Sequence, residues 1–229
     1  MSSVLIVGAT RGAGRALATA YASRGARVVL TGRSEDGAHR VAAEIGGETS
    51  GLRLDLSRPH EAAEALREVG TVDRLALVGM QRDVNTIAAY DVTRAIDLVV
   101  TKIVGYLTVV SVLRERLAEN ASILLFGGMA KDHPYPGSTT LTAANAAVVG
   151  QVRTLSAELA PIRVNAIHPS AIGDSPFWLE NPDALELSRR QTLTGASGRT
   201  KDVVEGCFFL LENPFANGVN LHMDGGRRA

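Results

Sequence analysis

Short aliphatic and β-branched runs alternate along this chain with longer segments whose apolar positions recur at helical spacing. Val4-Leu5-Ile6-Val7 is apolar throughout, as a strand covered on both faces requires. The alternation predicts strands at roughly 3–7, 27–31, 51–54, 72–78, 121–126, 162–167 and 219–222. Helices are predicted over roughly 12–24, 34–45, 59–69, 91–117, 139–159 and 200–211, with Ser34 and Ser57 as N-caps of the second and third. Strand and helix alternating in this way predict an α/β fold, a single-domain doubly wound parallel sheet. No linker, repeat or low-complexity segment divides the 229 residues.

Two departures from the pattern carry information. Residues 171–199 break the alternation with Pro176, Phe177, Trp178, Leu179 and Pro182, followed by a short helical pattern. A segment of that length between a strand and a helix is expected to be a lid or binding loop. Residues 103–113 and 139–152 contain no charge, and the second stretch adds Ala143, Ala144, Ala146, Ala147 and Gly150. Helices apolar around most of their circumference are buried on more than one side. Burial within the monomer would suffice, but a subunit interface, in a homodimer or homotetramer, is the stronger expectation.

Composition narrows the function classes. The 24 basic and 24 acidic residues balance, so no net field draws the chain to nucleic acid or anionic lipid. The single Cys207 excludes an internal disulfide and a multi-cysteine metal site, and the five histidines lack zinc-type spacing, so no metal is expected. The chain enters its first strand with no charged leader region, and the apolar stretch 96–113 is interrupted by Lys102. The expectation is a cytoplasmic protein with no membrane partner.

The candidate chemistry starts at Gly8-Ala9-Thr10-Arg11-Gly12-Ala13-Gly14, a glycine turn between a strand and a helix. Such a turn lets a pyrophosphate approach the backbone, and the helix N-terminus offers free N–H groups and positive dipole. The second strand ends Thr31-Gly32-Arg33-Ser34. An acidic residue there would receive the ribose 2′-hydroxyl of NAD, whereas an arginine pairs with the 2′-phosphate of NADP. Arg33, with Arg11 in the turn, therefore favours NADP(H).

The GxxxGxG spacing and the segments around it resemble the short-chain dehydrogenase/reductase family, a Rossmann fold. The resemblance extends to Asp55-Leu56 at the end of the third strand and to Asn165-Ala166-Ile167-His168-Pro169-Ser170-Ala171-Ile172. It also includes the carboxyl end through Met223-Asp224-Gly225-Gly226, and so spans essentially the whole chain. It implies cofactor contacts at Asp55 and Leu56 on the adenosine side and at Pro169 and Ile172 around the nicotinamide. Asn145 is a further candidate, toward the nicotinamide ribose.

At four positions the resemblance fails. The family's Tyr-x-x-x-Lys pair falls on Leu141 and Asn145, its serine on Gly128 and its structural asparagine near Val99. A leucine exchanges no proton, and a neutral amide cannot act as an ammonium does. The polar residues left near the expected mouth are Gln81-Arg82-Asp83, Lys131-Asp132-His133-Pro134-Tyr135, Asp174 and Ser175, with Trp178 in the lid. Within these, Tyr135, His133 and Asp132 are the catalytic candidates, because each can donate or accept a proton; His168 reads as a packed strand-end histidine. Two function classes stay open. One is an NADP(H)-dependent oxidoreductase reducing an imine, iminium or activated double bond of a small, partly apolar molecule. The other is a non-redox lyase or isomerase, or an inactive NADP-binding protein, on the same fold.

Overall fold

The computed structural model describes residues 2–81 and 83–227. Seven parallel strands form one sheet: β1 (Ser3–Val7), β2 (Arg27–Gly32), β3 (Thr49–Arg53), β4 (Val72–Leu77), β5 (Leu117–Phe126), β6 (Arg163–Pro169) and β7 (Asn220–Met223). Their order is β3-β2-β1-β4-β5-β6-β7. Helices α1 (Gly12–Ala22) and α2 (Glu35–Ile45) follow the first two strands, and a short α3 (Ala62–Ala65) follows β3. After β4 come α4 (Val92–Val99), a π-helical stretch Val100–Gly105 and α5 (Tyr106–Leu113). The long α6 (Thr139–Glu158) joins β5 to β6, the segment 171–199, expected to be a lid, holds α7 (Pro176–Leu179) and α8 (Pro182–Arg190), and α9 (Thr200–Glu212) leads to β7.

Alternate residues of each central strand feed two cores. Leu5, Val7, Leu75, Leu77, Ile123 and Leu125 face the side covered by Tyr106, Val109, Leu113, Val148 and Val152. Val4, Ile6, Ala76, Leu124 and Phe126 face the side covered by Leu17, Val41, Val203, Cys207 and Leu210. A strand buried on both faces reads as a continuous apolar run, which is why β1 is legible in the sequence.

Three expectations change. The helix expected over 59–69 is a 3-10 turn at Pro59–Glu61 followed only by α3. Ser57 does not cap it, since its hydroxyl donates to Asp55 Oδ1 at 2.8 Å and leaves Arg58 at the cap position. Ser34 does cap α2, accepting from Gly37 N at 3.3 Å. The helix expected over 91–117 is interrupted by the π stretch and gives way to β5 from Leu117. Gln151 of α6 donates to the carbonyls of Lys102 and Ile103 at 3.2 Å each, taking up backbone acceptors at the widened turn. Gly105 packs so closely on Leu56 that a Cβ would fall 2.4 Å from the Leu56 carbonyl oxygen.

The run Val92–Arg116 is long and apolar enough to cross a membrane by composition. Here one side of it covers the sheet through Tyr106, Val109 and Leu113, while Val92, Ile96, Val104 and Leu107 are exposed. The uncharged stretches are therefore split, one face in the monomer core and one outside.

Candidate functional site

The site lies beyond the carboxyl ends of the strands, where a doubly wound sheet binds its ligands. Its first half is the turn from β1 to α1. Gly8 has φ +84, and a Cβ there would sit 2.3 Å from the Gly79 Cα, so the ends of β1 and β4 close on each other only because residue 8 is glycine. Tyr106 seals the contact from below by donating to the Gly79 carbonyl at 3.0 Å. Gly14 meets Gly8 in the same way, its missing Cβ 2.5 Å from the Gly8 carbonyl oxygen, and Thr10 packs against Gly32.

At the start of α1 the Arg11 side chain makes no cap, and no acidic residue occupies the first turn. The N–H groups of Gly12, Ala13 and Gly14 are thus left to an external acceptor. Arg11 and Arg33 are exposed, and neither has an ion-pair partner among the described residues. Two unpaired guanidiniums beside an uncapped helix N-terminus fit the phosphates of a dinucleotide, including a 2′-phosphate. Ser34 stands beside Arg33 at the head of α2. Asp55 is partly held by its own turn, accepting from Ser57 N at 3.0 Å, and Leu56 is buried in the core.

The second half is built by β6 and the lid. Around Ile172, the paired bonds run from Gly198 N to the Ala171 carbonyl at 3.1 Å and from Gly173 N to the Gly198 carbonyl at 2.8 Å. These leave the Ile172 N–H unused among the described residues, available to a ligand carbonyl beside Pro169. His168 is fully buried. Its Nδ1 accepts from Gly128 N at 3.3 Å and its Nε2 faces Asn220 Oδ1 at 2.9 Å. Burial pushes its pKa down to about 4, so it is a neutral packed histidine, as expected from the sequence.

Between these halves the tyrosine position, Leu141, is buried with Leu98, Ala130 and Ala144 in a small apolar cluster. The structural asparagine, expected near Val99, has a different counterpart. The inward residue of the long helix is Lys102, three residues beyond Val99, and the π stretch carries it. Lys102 is fully buried and donates to Asn145 Oδ1 at 2.6 Å and to the Gly127 carbonyl at 3.1 Å. Burial alone lowers its pKa from 10.5 to about 7, because no carboxylate compensates the charge. The site therefore keeps a lysine amine, delivered from a different element. Sequence reasoning passed over it, although Lys102 is the lone charge between Leu98 and Leu113. Gly128 lies against this pair, where a Cβ would fall 2.8 Å from Asn145 Nδ2.

In the loop after β5 no side-chain hydrogen bond joins Asp132, His133 and Tyr135 among the described residues. Asp132 pairs with Lys131, whose Nζ also meets His222 Nε2 at 3.0 Å. The hydrogen bond from Lys131 holds the Asp132 carboxyl below the usual range, so it is an anion and no acid. The Tyr135 ring is 44% exposed, while its backbone is fixed by Ser138, whose Oγ accepts from Tyr135 N at 2.9 Å. The His133 ring is half-buried and makes no hydrogen bond among the described residues. Of the other polar candidates, Asp174 caps α9 by accepting from Thr200 N at 2.7 Å, and Asp83 is buried in the loop after β4. Arg82 lies outside the described residues. Trp178 stacks edge-on against Phe177 in the lid.

Comparison with known proteins gives a consistent picture. A sequence family described as "Enoyl-(Acyl carrier protein) reductase" matches residues 8–228. A "3-oxoacyl-[acyl-carrier-protein] reductase" of Bos taurus is 29% identical over 96% of this chain and 95% of its own length. "Carbonyl reductase family member 4" of Danio rerio is 31% identical over 99% of this chain and 98% of its own. A crystal structure of a dehydrogenase/reductase from Sinorhizobium meliloti superposes with a TM-score of 0.91 at 25% identity, covering 100% of this chain and 95% of that one.

Proposed function

The chain belongs to the short-chain dehydrogenase/reductase family of oxidoreductases, and from that premise we propose that it is an NADP(H)-dependent reductase of an imine, iminium or activated double bond. The observation that carries the reading is Leu141, a buried hydrocarbon where a proton donor would have to stand, beside a cofactor cradle that has kept its parts. A ketone becoming an alkoxide needs a proton at oxygen; an iminium, already cationic, needs none.

The residues divide the work. Gly8, Gly12, Ala13 and Gly14 would hold the pyrophosphate, Arg11 and Arg33 the 2′-phosphate, and the Ile172 N–H the carboxamide. When bound, NADPH supplies a hydride. Phe177 and Trp178 suit a partly apolar substrate and would shield it from water. For a carbon–carbon double bond the remaining proton would come from Tyr135 or His133, neither of which is tied to another side chain. We place the protein in the cytoplasm and read it as a homodimer or homotetramer, the exposed stripe Ile96, Val104 and Leu107 being the surface a second copy would cover.

Calorimetric titration with NADPH and NADH tests the cofactor half. NADPH should bind more tightly by tenfold or more, and Arg33→Ala should abolish the preference. Turnover is tested with a panel of cyclic imines, activated alkenes and ketones. Selective consumption of NADPH with the first two supports the reading. NADPH binding with no turnover on any of them favours the non-redox alternative.

A further inference from the structure

Lys102 is a fully buried charge in the site that the reading above leaves without a task. An uncompensated ammonium is expensive to bury, and a merely structural donor at this point could be neutral. Gln151 shows as much, since its amide already serves the carbonyls of the same π stretch. What the amine adds is charge, and its geometry says where the charge is felt. An ammonium has three donors and no acceptor, so Asn145 must turn Oδ1 toward it. The amide's Nδ2 is thereby directed away from Lys102 and toward the bare Cα of Gly128. That nitrogen makes no hydrogen bond among the described residues. A side chain at 128 would crowd it, so Gly128 and Asn145 suit each other.

We infer that Lys102 and Asn145 work as one donor unit, in which the buried ammonium orients and polarises the Asn145 amide so that its N–H groups hold a hydroxyl or carbonyl oxygen at the nicotinamide end of the bound dinucleotide. The inference rests on the NADP(H) reading. Relative to the family pattern, lysine and a neutral side chain have changed places, with the charge now set one residue behind the contact. Lys102 has no exposed surface and touches no ligand, so it is a positioning residue acting through Asn145.

The test uses NADPH and 2′,5′-ADP as calorimetric probes. The second probe carries the adenosine phosphates but not the nicotinamide half. Binding is measured at about pH 6, below the Lys102 pKa of about 7, for the parent chain, Lys102→Gln, Lys102→Asn, Asn145→Lys and the exchanged double variant Lys102→Asn/Asn145→Lys. Each single variant should weaken NADPH binding by about tenfold or more, the scale of losing or opposing charge at a hydrogen bond. The double variant should recover to within about threefold of the parent, a non-additivity that independent sites do not show. All five proteins should bind 2′,5′-ADP alike, which a general loss of structure would not allow. NADPH binding by Lys102→Gln within twofold of the parent, or no recovery in the double variant, overturns the donor unit alone. A parent that binds neither probe overturns the cofactor reading and the donor unit with it.

Discussion

Replacing Lys102 by methionine should change how stability depends on pH, and by a calculable amount. The amine lies in a fully buried position facing Asn145 and the Gly127 carbonyl, and its pKa falls from 10.5 to about 7. Below pH 7 the lysine is protonated in both the folded and unfolded chain, and the full burial penalty applies. Between 7 and 10.5 the unfolded chain holds a proton that the folded one has released, so stability rises with pH. Above that window both forms are neutral and the penalty is gone. Each pH unit within the window corresponds to about 1.4 kcal/mol. From pH 7.5 to 9.5 the parent should therefore gain about 2.5 kcal/mol relative to Lys102→Met. The nearest titratable ring, His168, titrates near 4 and stays silent in this range. The absolute difference at one pH also includes two acceptors left unpaired by methionine, so the slope is the quantity to read. Urea unfolding followed by circular dichroism, at one protein concentration and without dinucleotide, gives the curves. Parallel stability profiles for the two proteins would refute a buried, titrating lysine.

Gly127→Ala should lower stability by about 2–4 kcal/mol in urea unfolding, because its Cβ would meet His168 Nδ1 at 2.1 Å and the ring is pinned by Asn220. Light scattering should show a dimer or tetramer at micromolar concentration, and Leu107→Arg, on the exposed stripe, should reduce the mass; a monomeric parent would reject the interface. Leu141→Tyr/Asn145→Lys should gain little ketone reductase activity, since it sets a second amine against Lys102 where Asn145 now accepts at 2.6 Å, and adding Lys102→Asn should relieve the clash of charges. Efficient ketone turnover by the parent itself would contradict the role given to Leu141.

The sequence by itself determined the architecture and the glycine turn between β1 and α1. Strands buried on both faces must be apolar runs, so β1 and β2 announce themselves, and the glycines at 8, 12 and 14 are local necessities of one tight turn. Arg33 is legible for the same reason: its place at a strand end is fixed by the strand alone. Elements held by little periodic burial were read less well. The sequence pattern overextends α3, Ser57 bonds to its neighbour Asp55 instead of capping a helix, and β5 begins at Leu117, earlier than the expected 121. The reactive half was not legible, because it depends on which side chains three distant segments bring together. A 3.6-residue period gives no sign of a π turn, and that turn decides that Lys102 points inward while Val99 does not. Likewise Asp132, His133 and Tyr135 are neighbours in sequence, yet the ion-pair partners of Asp132 are Lys131 and the distant His222. Local chemistry fixes turns and strands; the meeting of Lys102, Gly127 and Asn145 exists only once the sheet has brought α6 and the π stretch together.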